Sequence, residues 1–546
     1  MHAMDARKQA MGTAATLVAL ALLMLASLWL RWPAFVQGGF VSHDVAGMLY
    51  NAMVLDAGGL PYVDTLELKA PGSFWLARAF AGPEGRDIAR FQVFANLWAL
   101  GSLAAVAAVA WRSWGRLASV VAAGLYGLHD AFLDSMDANY VTWANLPQIL
   151  AFGLGIEAWR SQSPRWRPTL WLAAGAAAGC AALCKRPDGV VLVVLLAMGA
   201  RAQAQASSEA RRASWREPAW VLAGFCLAHL PLAALYLGRG ELGALLDGYV
   251  VNRWGLRYVN AKLAGSASAP GSGSGVGEGL LASAHFLGLP LALAAFAGAA
   301  ALPKHTAASE AERRELAWVL AWLGATLFAA SLGLRFYKGY FLACAAPACL
   351  AAAAPWGLWG RRCRAHWVPR VVASALALGL VLRCGLLLDA ERRSRARAHD
   401  TGGRRIAAHL IEHGEPGDRV WVWGWHLWDV YPLTGQLSAS RVYKSLGILS
   451  QPNDDTWRRP STPLRFVETE HAQTLLDDLE RTRPRFIVLG STVPRREFGA
   501  LQTFLRAHYR LDRSAPRIGR VQFWRRLDDS WVDAEHGIAD MPRISR

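Results

Sequence analysis

Ser42 to Trp75 reads SHDVAGMLYNAMVLDAGGLPYVDTLELKAPGSFW. The stretch follows the first hydrophobic run of the chain. It opens with an acidic residue near a helix start (Asp44) and turns at Gly58-Gly59-Leu60-Pro61-Tyr62. It then carries a second acidic pair (Asp64, Glu67) and a lysine shortly before a proline (Lys69, Pro71). Long apolar runs make up most of the remaining chain. The expected arrangement is a bundle of membrane helices that holds this loop, with a few other charged residues, against one face of a bilayer.

Composition bounds the class. Of 546 residues 53% are hydrophobic and 25 are tryptophan, and the mean hydropathy is +0.19, too apolar for an ordinary soluble enzyme of this length. Apolar runs of about 18 residues or more recur, and a span needs roughly 20. The net charge of +17 sits largely in short segments between apolar runs. That pattern points to anionic lipid as the partner and away from nucleic acid. The seven cysteines lie in or beside apolar runs without zinc-ligand spacing. The first apolar run is long enough to be a retained span, unlike a cleaved signal peptide.

Charge bias sets the topology. Arg7 and Lys8 precede the run Thr13–Leu30, which places the N-terminus inside and the Asp44 loop outside. Further runs alternate between basic inner loops and outer loops. They include Phe91–Trp111, Leu117–Leu128, Thr142–Trp159, and the short pair Thr169–Cys184 and Val190–Ala200 around Lys185, ending with Val371–Leu388. About eleven spans result, with residues 390–546 outside. In that last segment short β-rich runs begin at Arg419, Arg485 and Arg520, separated by helical stretches such as Ala472–Arg481. The expected fold is thus mostly α: a polytopic helix bundle over residues 1–389, with a small extracytoplasmic α/β domain over 390–546. The Gly/Ser-rich stretch Gly265–Gly279 reads as a slack outer loop or a lid.

Positive charge on outer loops runs against the inside bias. Lys69, Lys185, Arg186, Arg253, Arg257, Arg335 and Lys338 all fall there, as does Asp44. Arginine forks and lysine point charges at headgroup level suit a phosphate. A carboxylate beside them suits a general base on an acceptor hydroxyl. The residues alone leave Asp44 open to a simpler role, capping the helix Val45–Leu55 together with Ser42. Lys185 and Arg186 are equally placed to snorkel to headgroups, and Asp64 to serve the turn. Trp421 and Trp423 read as core or interface residues.

At these positions the chain resembles the polytopic GT-C glycosyltransferases of the family 39 type, relatives of protein O-mannosyltransferases and of the aminoarabinose and galacturonic acid transferases of lipid A. The resemblance rests on Asp44, on Gly59-Leu60-Pro61-Tyr62-Val63-Asp64 and on Glu67-Leu68-Lys69-Ala70-Pro71. It extends to Leu183-Cys184-Lys185-Arg186-Pro187, Arg335-Phe-Tyr-Lys338-Gly-Tyr340 and Val420-Trp-Val-Trp-Gly-Trp425. It implies an inverting enzyme of the inner (plasma) membrane that moves a sugar from a polyprenyl-phosphate donor to a glycan, lipid or protein acceptor on the outer face. The catalytic part would be the first outer loop, residues 31–90. Asp44 would be the base. Lys69, Lys185 and Arg335 would contact donor phosphate, with Lys338 a weaker candidate, and Asp64, Glu67, Asp137 and Arg186 would also line the substrate site.

Two departures stand out. Val45 replaces a second acidic residue, and Tyr140 follows Ala138-Asn139 where an acid is common, with Asp130, Asp134 and Asp137 near enough to substitute. Relatives differ in their need for a divalent ion, and no cofactor or metal is assigned here. The absence of a GxxxxGK[ST] loop argues against an ATPase. Two other readings use the same outer charges: a transporter or flippase of lipid-linked sugar, and a non-catalytic relative that binds lipid phosphate.

Overall fold

The computed structural model describes residues 2–36, 42–82, 85–204, 216–257, 259–260, 275–301, 309–359, 385–386, 389, 402–424, 427–452, 457–458 and 463–527. The chain falls into two units. One takes Met1–Ala52, Leu68–His399 and Asp454–Pro460; the other takes Met53–Glu67, Asp400–Asn453 and Ser461–Arg546. Where a single cut near residue 390 was expected, the chain crosses between the units more than once.

The first unit is helical. In chain order its helices are α1 (His2–Val36), α2 (His43–Asp56, whose last turn falls in the second unit), α3 (Gly72–Phe80), α4 (Ile88–Trp114), α5 (Arg116–Phe132) and α6 (Tyr140–Arg160). They continue with α7 (Trp166–Cys184), α8 (Val191–Ala204), α9 (Arg216–Gly238), α10 (Gly275–Ala301), α11 (Glu310–Ser331) and α12 (Leu342–Trp359). The apolar runs Thr13–Leu30, Phe91–Trp111, Leu117–Leu128, Thr142–Trp159 and Thr169–Cys184 each fall on one of them, and Val190–Ala200 does so from Val191. Among the described residues, five helical segments are long and apolar enough to cross a membrane: Ala10–Phe35, Ile88–Trp114, Arg216–Gly238, Val276–Ala295 and Lys338–Trp356. The run Val371–Leu388 lies almost wholly outside the described residues, as do residues 265–274 of the Gly/Ser-rich stretch and Trp425 of the tryptophan run.

Local chemistry fixes where helices start. The Asp87 carboxylate accepts from the Arg90 amide at 2.8 Å and caps α4. Ser309 and Glu312 form a reciprocal capping box on α11. Tight packing follows from small residues. A Cβ at Gly175 of α7 would lie 1.9 Å from the Val221 carbonyl oxygen of α9. One at Gly224 of α9 would lie 1.9 Å from the Leu172 oxygen of α7. Only glycine lets the two backbones approach so closely, the small-residue device of membrane helix pairs. Larger gaps are filled by aromatics: Phe152 stacks on Trp322 at 4.5 Å, and Trp143 meets Phe80, Phe91 and Trp98.

Several buried charged groups of this unit are paired. Arg31, fully buried on α1, donates to Asp130, to the Ser135 hydroxyl and carbonyl, and to Asn96. Near the chain positions expected to be cytoplasmic, Arg112 grips Glu157 through two nitrogens, at 3.0 and 2.6 Å. Arg160 joins Glu157 to Glu315.

The second unit is α/β. Its longer helices are α13 (Gly403–His413), α14 (Glu470–Thr482) and α15 (Gly499–His508). Its strands are β1 (Val420–Trp423), β2 (Ser450–Pro452), β3 (Leu464–Phe466), β4 (Phe486–Leu489), β5 (Tyr509–Leu511) and β6 (Gln522–Arg526). The main sheet has the order β1-β4-β6-β5. β1 runs parallel to β4 with Val420 opposite Phe486, and the other neighbours are antiparallel. β2 and β3 make a separate antiparallel pair. Trp421 and Trp423 lie in the core with Leu475, Leu479, Ile487 and Leu501, and Leu66 packs against that core. The first-loop segment joins this unit by such contacts: the Leu66 amide also donates to the Arg441 carbonyl at 2.9 Å.

Candidate active site

Asp44 stands at the start of α2. The Ser42 hydroxyl and carbonyl accept from the Val45 and Ala46 amides, at 3.5 and 2.9 Å. Capping therefore falls to Ser42, and the Asp44 carboxylate turns elsewhere. Its Oδ1 lies 2.8 Å from Lys69 Nζ, and its Oδ2 accepts from Asn139 Nδ2 at 3.3 Å. Lys69 in turn sits 4.1 Å over the Tyr140 ring. The Asn139-Tyr140 pair, which reads in the sequence as a departure from an acidic pattern, thus supplies both a donor to the carboxylate and an aromatic face to the lysine.

The loop that carries Lys69 is brought here by α3. A Cβ at Gly72 would lie 2.7 Å from the Leu183 carbonyl oxygen, so the start of α3 abuts the end of α7. Lys185 follows directly. It is nearly buried, pairs with Asp188 at 3.0 Å and lies 5.4 Å from the Tyr340 ring. Tyr340 is within electrostatic reach of Lys69 as well. Asp44, Lys69, Asn139, Tyr140, Lys185, Asp188 and Tyr340 therefore form one neighbourhood within the first unit. Lys338, two residues before Tyr340, pairs with Asp134 at 2.7 Å.

The remaining expected site residues make the following contacts. Asp64, in the second unit, accepts from the Leu60 amide at 2.7 Å and closes the turn. Glu67, also in the second unit, is fully buried and receives the Tyr443 hydroxyl and the Lys444 ammonium. The Asp137 backbone shapes the turn before α6, its amide donating to the Asp134 carbonyl and its carbonyl accepting from the Thr142 hydroxyl. The buried Arg335 offers its carbonyl to the Trp457 amide at 3.0 Å. Arg186 donates to the carbonyls of Gly248, Tyr249 and Leu68. Asp130, a candidate for the missing acid, is committed to Arg31.

Electrostatics fix the state of the central lysine. Burial, the largest single effect, opposes the charge on Lys69, but the Asp44 carboxylate together with Tyr140 and Tyr340 outweighs it and holds the amine well above the ordinary lysine value. Lys69 is therefore a permanent cation at neutral pH. An ammonium has three donors, and Lys69 directs one to Asp44. Asp44 accepts at each oxygen, from Lys69 at one and from Asn139 at the other. Chemically, the pair places a proton acceptor and an anion holder side by side. Among the described residues, no group of three His, Cys, Asp or Glu side chains is placed to hold a metal ion.

The fold defines a class first: a mostly helical protein with several described helices long and apolar enough to cross a membrane, joined to a small α/β unit. The particular likeness is to ArnT from Cupriavidus metallidurans. The structure of ArnT bound to undecaprenyl phosphate matches with a TM-score of 0.57 at 15% identity, covering 92% of this chain and 97% of that one. Its apo state matches at 0.54, with the same identity and coverage. The archaeal oligosaccharyltransferase AglB from Archaeoglobus fulgidus, in complex with an inhibitory peptide and a dolichol-phosphate, gives 0.49 at 12% identity over 87% of this chain and 69% of that one, and adds nothing to the assignment. No family model matches the sequence, and no curated protein does.

Proposed function

We propose that the chain is an integral-membrane glycosyltransferase that moves a sugar from a polyprenyl-phosphate donor to an acceptor hydroxyl, with inversion at the anomeric carbon. The observation that carries this reading is the 2.8 Å contact between Asp44 and Lys69. It joins a base to a phosphate-holding cation within a fold shared with a protein solved bound to undecaprenyl phosphate. Asp44 takes the proton of the acceptor hydroxyl as its oxygen attacks the anomeric carbon. The bond from that carbon to the phosphate oxygen breaks on the opposite side, and its electron pair leaves with the polyprenyl phosphate. Lys69 and Lys185, with Arg335 and Lys338 farther along the chain, stabilise the growing charge on the phosphate. The acceptor is a glycan, lipid or protein, and the reaction sits on the outer face of the cytoplasmic membrane, with the C-terminal α/β unit outside.

The test is a purified wild-type protein and its Asp44→Asn variant, each given a labelled polyprenyl-phosphate sugar. Loss of transfer by about 10²-fold or more, with donor binding retained, supports the role of Asp44. Transfer at the wild-type rate in the variant removes it. A donor carried across the bilayer without being consumed would favour a flippase.

A further inference from the structure

Lys185 and Arg186 are adjacent cations, yet the fold uses them differently. Lys185 turns to a carboxylate and an aromatic ring, Asp188 and Tyr340. The Arg186 guanidinium instead gathers backbone carbonyls from two separate stretches. One nitrogen donates to Gly248 and Tyr249, at 3.0 and 2.9 Å, and the other to Leu68. Gly248 and Tyr249 belong to the π-helical turn Leu246–Val251. Backbone bonding in such a turn is out of step with the ordinary helix, and π-turns of this kind occur frequently at functional sites. Leu68 immediately precedes Lys69. The guanidinium thus ties the backbone next to Lys69 to the π-turn, while Lys69 reaches Asp44 with its side chain. The turn itself is braced: Tyr249 lies 5.7 Å from Arg186 in cation–π geometry, and its hydroxyl is 3.0 Å from His229 Nε2.

We propose that Arg186 is a positioning residue for Lys69, setting the approach of the ammonium to Asp44 by clamping the Leu68 carbonyl to the π-turn. The inference rests on the transferase reading for its catalytic consequence, but the placement of Lys69 is testable without it. Geometry separates this role from direct phosphate contact. A phosphate contact needs positive charge, which a lysine supplies. A clamp on three carbonyls needs the planar guanidinium fork, which a lysine lacks. The Leu68 carbonyl lies in one rigid peptide plane with the Lys69 amide and Cα, so clamping that oxygen also orients the Lys69 backbone.

The experiment compares wild type, Arg186→Lys and Arg186→Gln as full chains in detergent. An amine-reactive reagent is applied at pH 8, and the modification rate at Lys69 is read by peptide mass spectrometry. Held against Asp44 and fully protonated, Lys69 reacts slowly in the wild type. The expected result is a rise of about tenfold in both variants, equivalent to about 1.4 kcal/mol of lost local restraint. In the same preparations, Arg186→Lys loses kcat with little change in KM for the polyprenyl-phosphate sugar. Wild-type protection of Lys69 in Arg186→Lys, or rescue of kcat by the lysine, overturns the proposal. Should Arg186→Gln fail to fold, Arg186→Lys together with Tyr249→Phe, which loosens the turn and leaves the cation in place, decides the matter by the same labelling. If no preparation transfers sugar while Lys69 labelling rises as expected, the transferase reading fails and the clamp stands.

Discussion

Lys69 Nζ and Asp44 Oδ1 lie 2.8 Å apart, across 25 residues of chain and the whole of α2. A carboxylate and a cation joined in this way act as one unit, and removing the cation alters both. Lys69→Met is expected to lower kcat/KM for a polyprenyl-phosphate sugar by about 10²–10³-fold, the usual effect of deleting one preorganised donor to a developing charge. Steady-state transfer assays against wild type check it.

The raised value of Lys69 makes a pH prediction. A lysine bound more tightly to its proton when folded contributes stability that is complete below the unfolded value of about 10.4. That contribution is lost as pH rises through the folded value, well above it. Thermal unfolding of wild type should therefore fall more steeply than that of Lys69→Met at pH above about 10.4, with the difference between them constant from pH 7 to 9.

Asp512 behaves in the opposite sense. Burial raises it, but the Ser514 hydroxyl and amide, with His409, outweigh burial and hold it below the ordinary aspartate value. Its stabilisation is present above the unfolded value of about 3.9 and is lost as pH falls through the lower folded value. Asp512→Asn should narrow the difference in unfolding temperature between pH 6 and pH 3.

The buried pair of Glu67 and Lys444 predicts an asymmetry. Lys444→Met leaves the Glu67 carboxylate buried with its cation gone and should cost about 3–5 kcal/mol, whereas Glu67→Met with Lys444→Met should recover most of the loss. Chemical denaturation of the three proteins reads both. A double variant as unstable as the single one would contradict the charge argument.

The contact between α7 and α9 makes a packing prediction. A Cβ at Gly175 or Gly224 meets a backbone carbonyl at 1.9 Å, which no rotamer change relieves. Either glycine-to-alanine change should destabilise the protein by about 1–3 kcal/mol. Unfolding temperature in detergent measures it.

Much of the fold is visible in composition and period. The apolar runs fell on helices because a span of this length announces itself by hydropathy alone. The strands at Val420, Phe486 and Gln522 were expected within two residues, since short β-rich runs bounded by arginines and loops leave few alternatives. The Asp44 stretch was visible because acid, turn and lysine fall close together in sequence. Partnerships over long separations were not. Nothing local marks Glu67 as the partner of Lys444, 377 residues away, and Arg31 looks like the end of a span until Asp130 is folded beside it. Arg186 read as a substrate contact because sequence reports its charge, whereas its carbonyl partners lie at Leu68 and in the π-turn. Tyr140 read as a lost acid because an aromatic face beneath a lysine has no signature in one dimension.

The second unit owns a strip of chain, Met53–Glu67, encoded more than 300 residues before its main body. A truncation at residue 390 would thus amputate part of each half: the remnant would keep a carboxylate bereft of Lys444, and the released fragment would lack Leu66 from its interior. Chimaeras built by exchanging the C-terminal half between relatives must transplant the N-terminal strip with it. The same bond between distant stretches of the gene ties their evolution, so a change at one must be answered at the other.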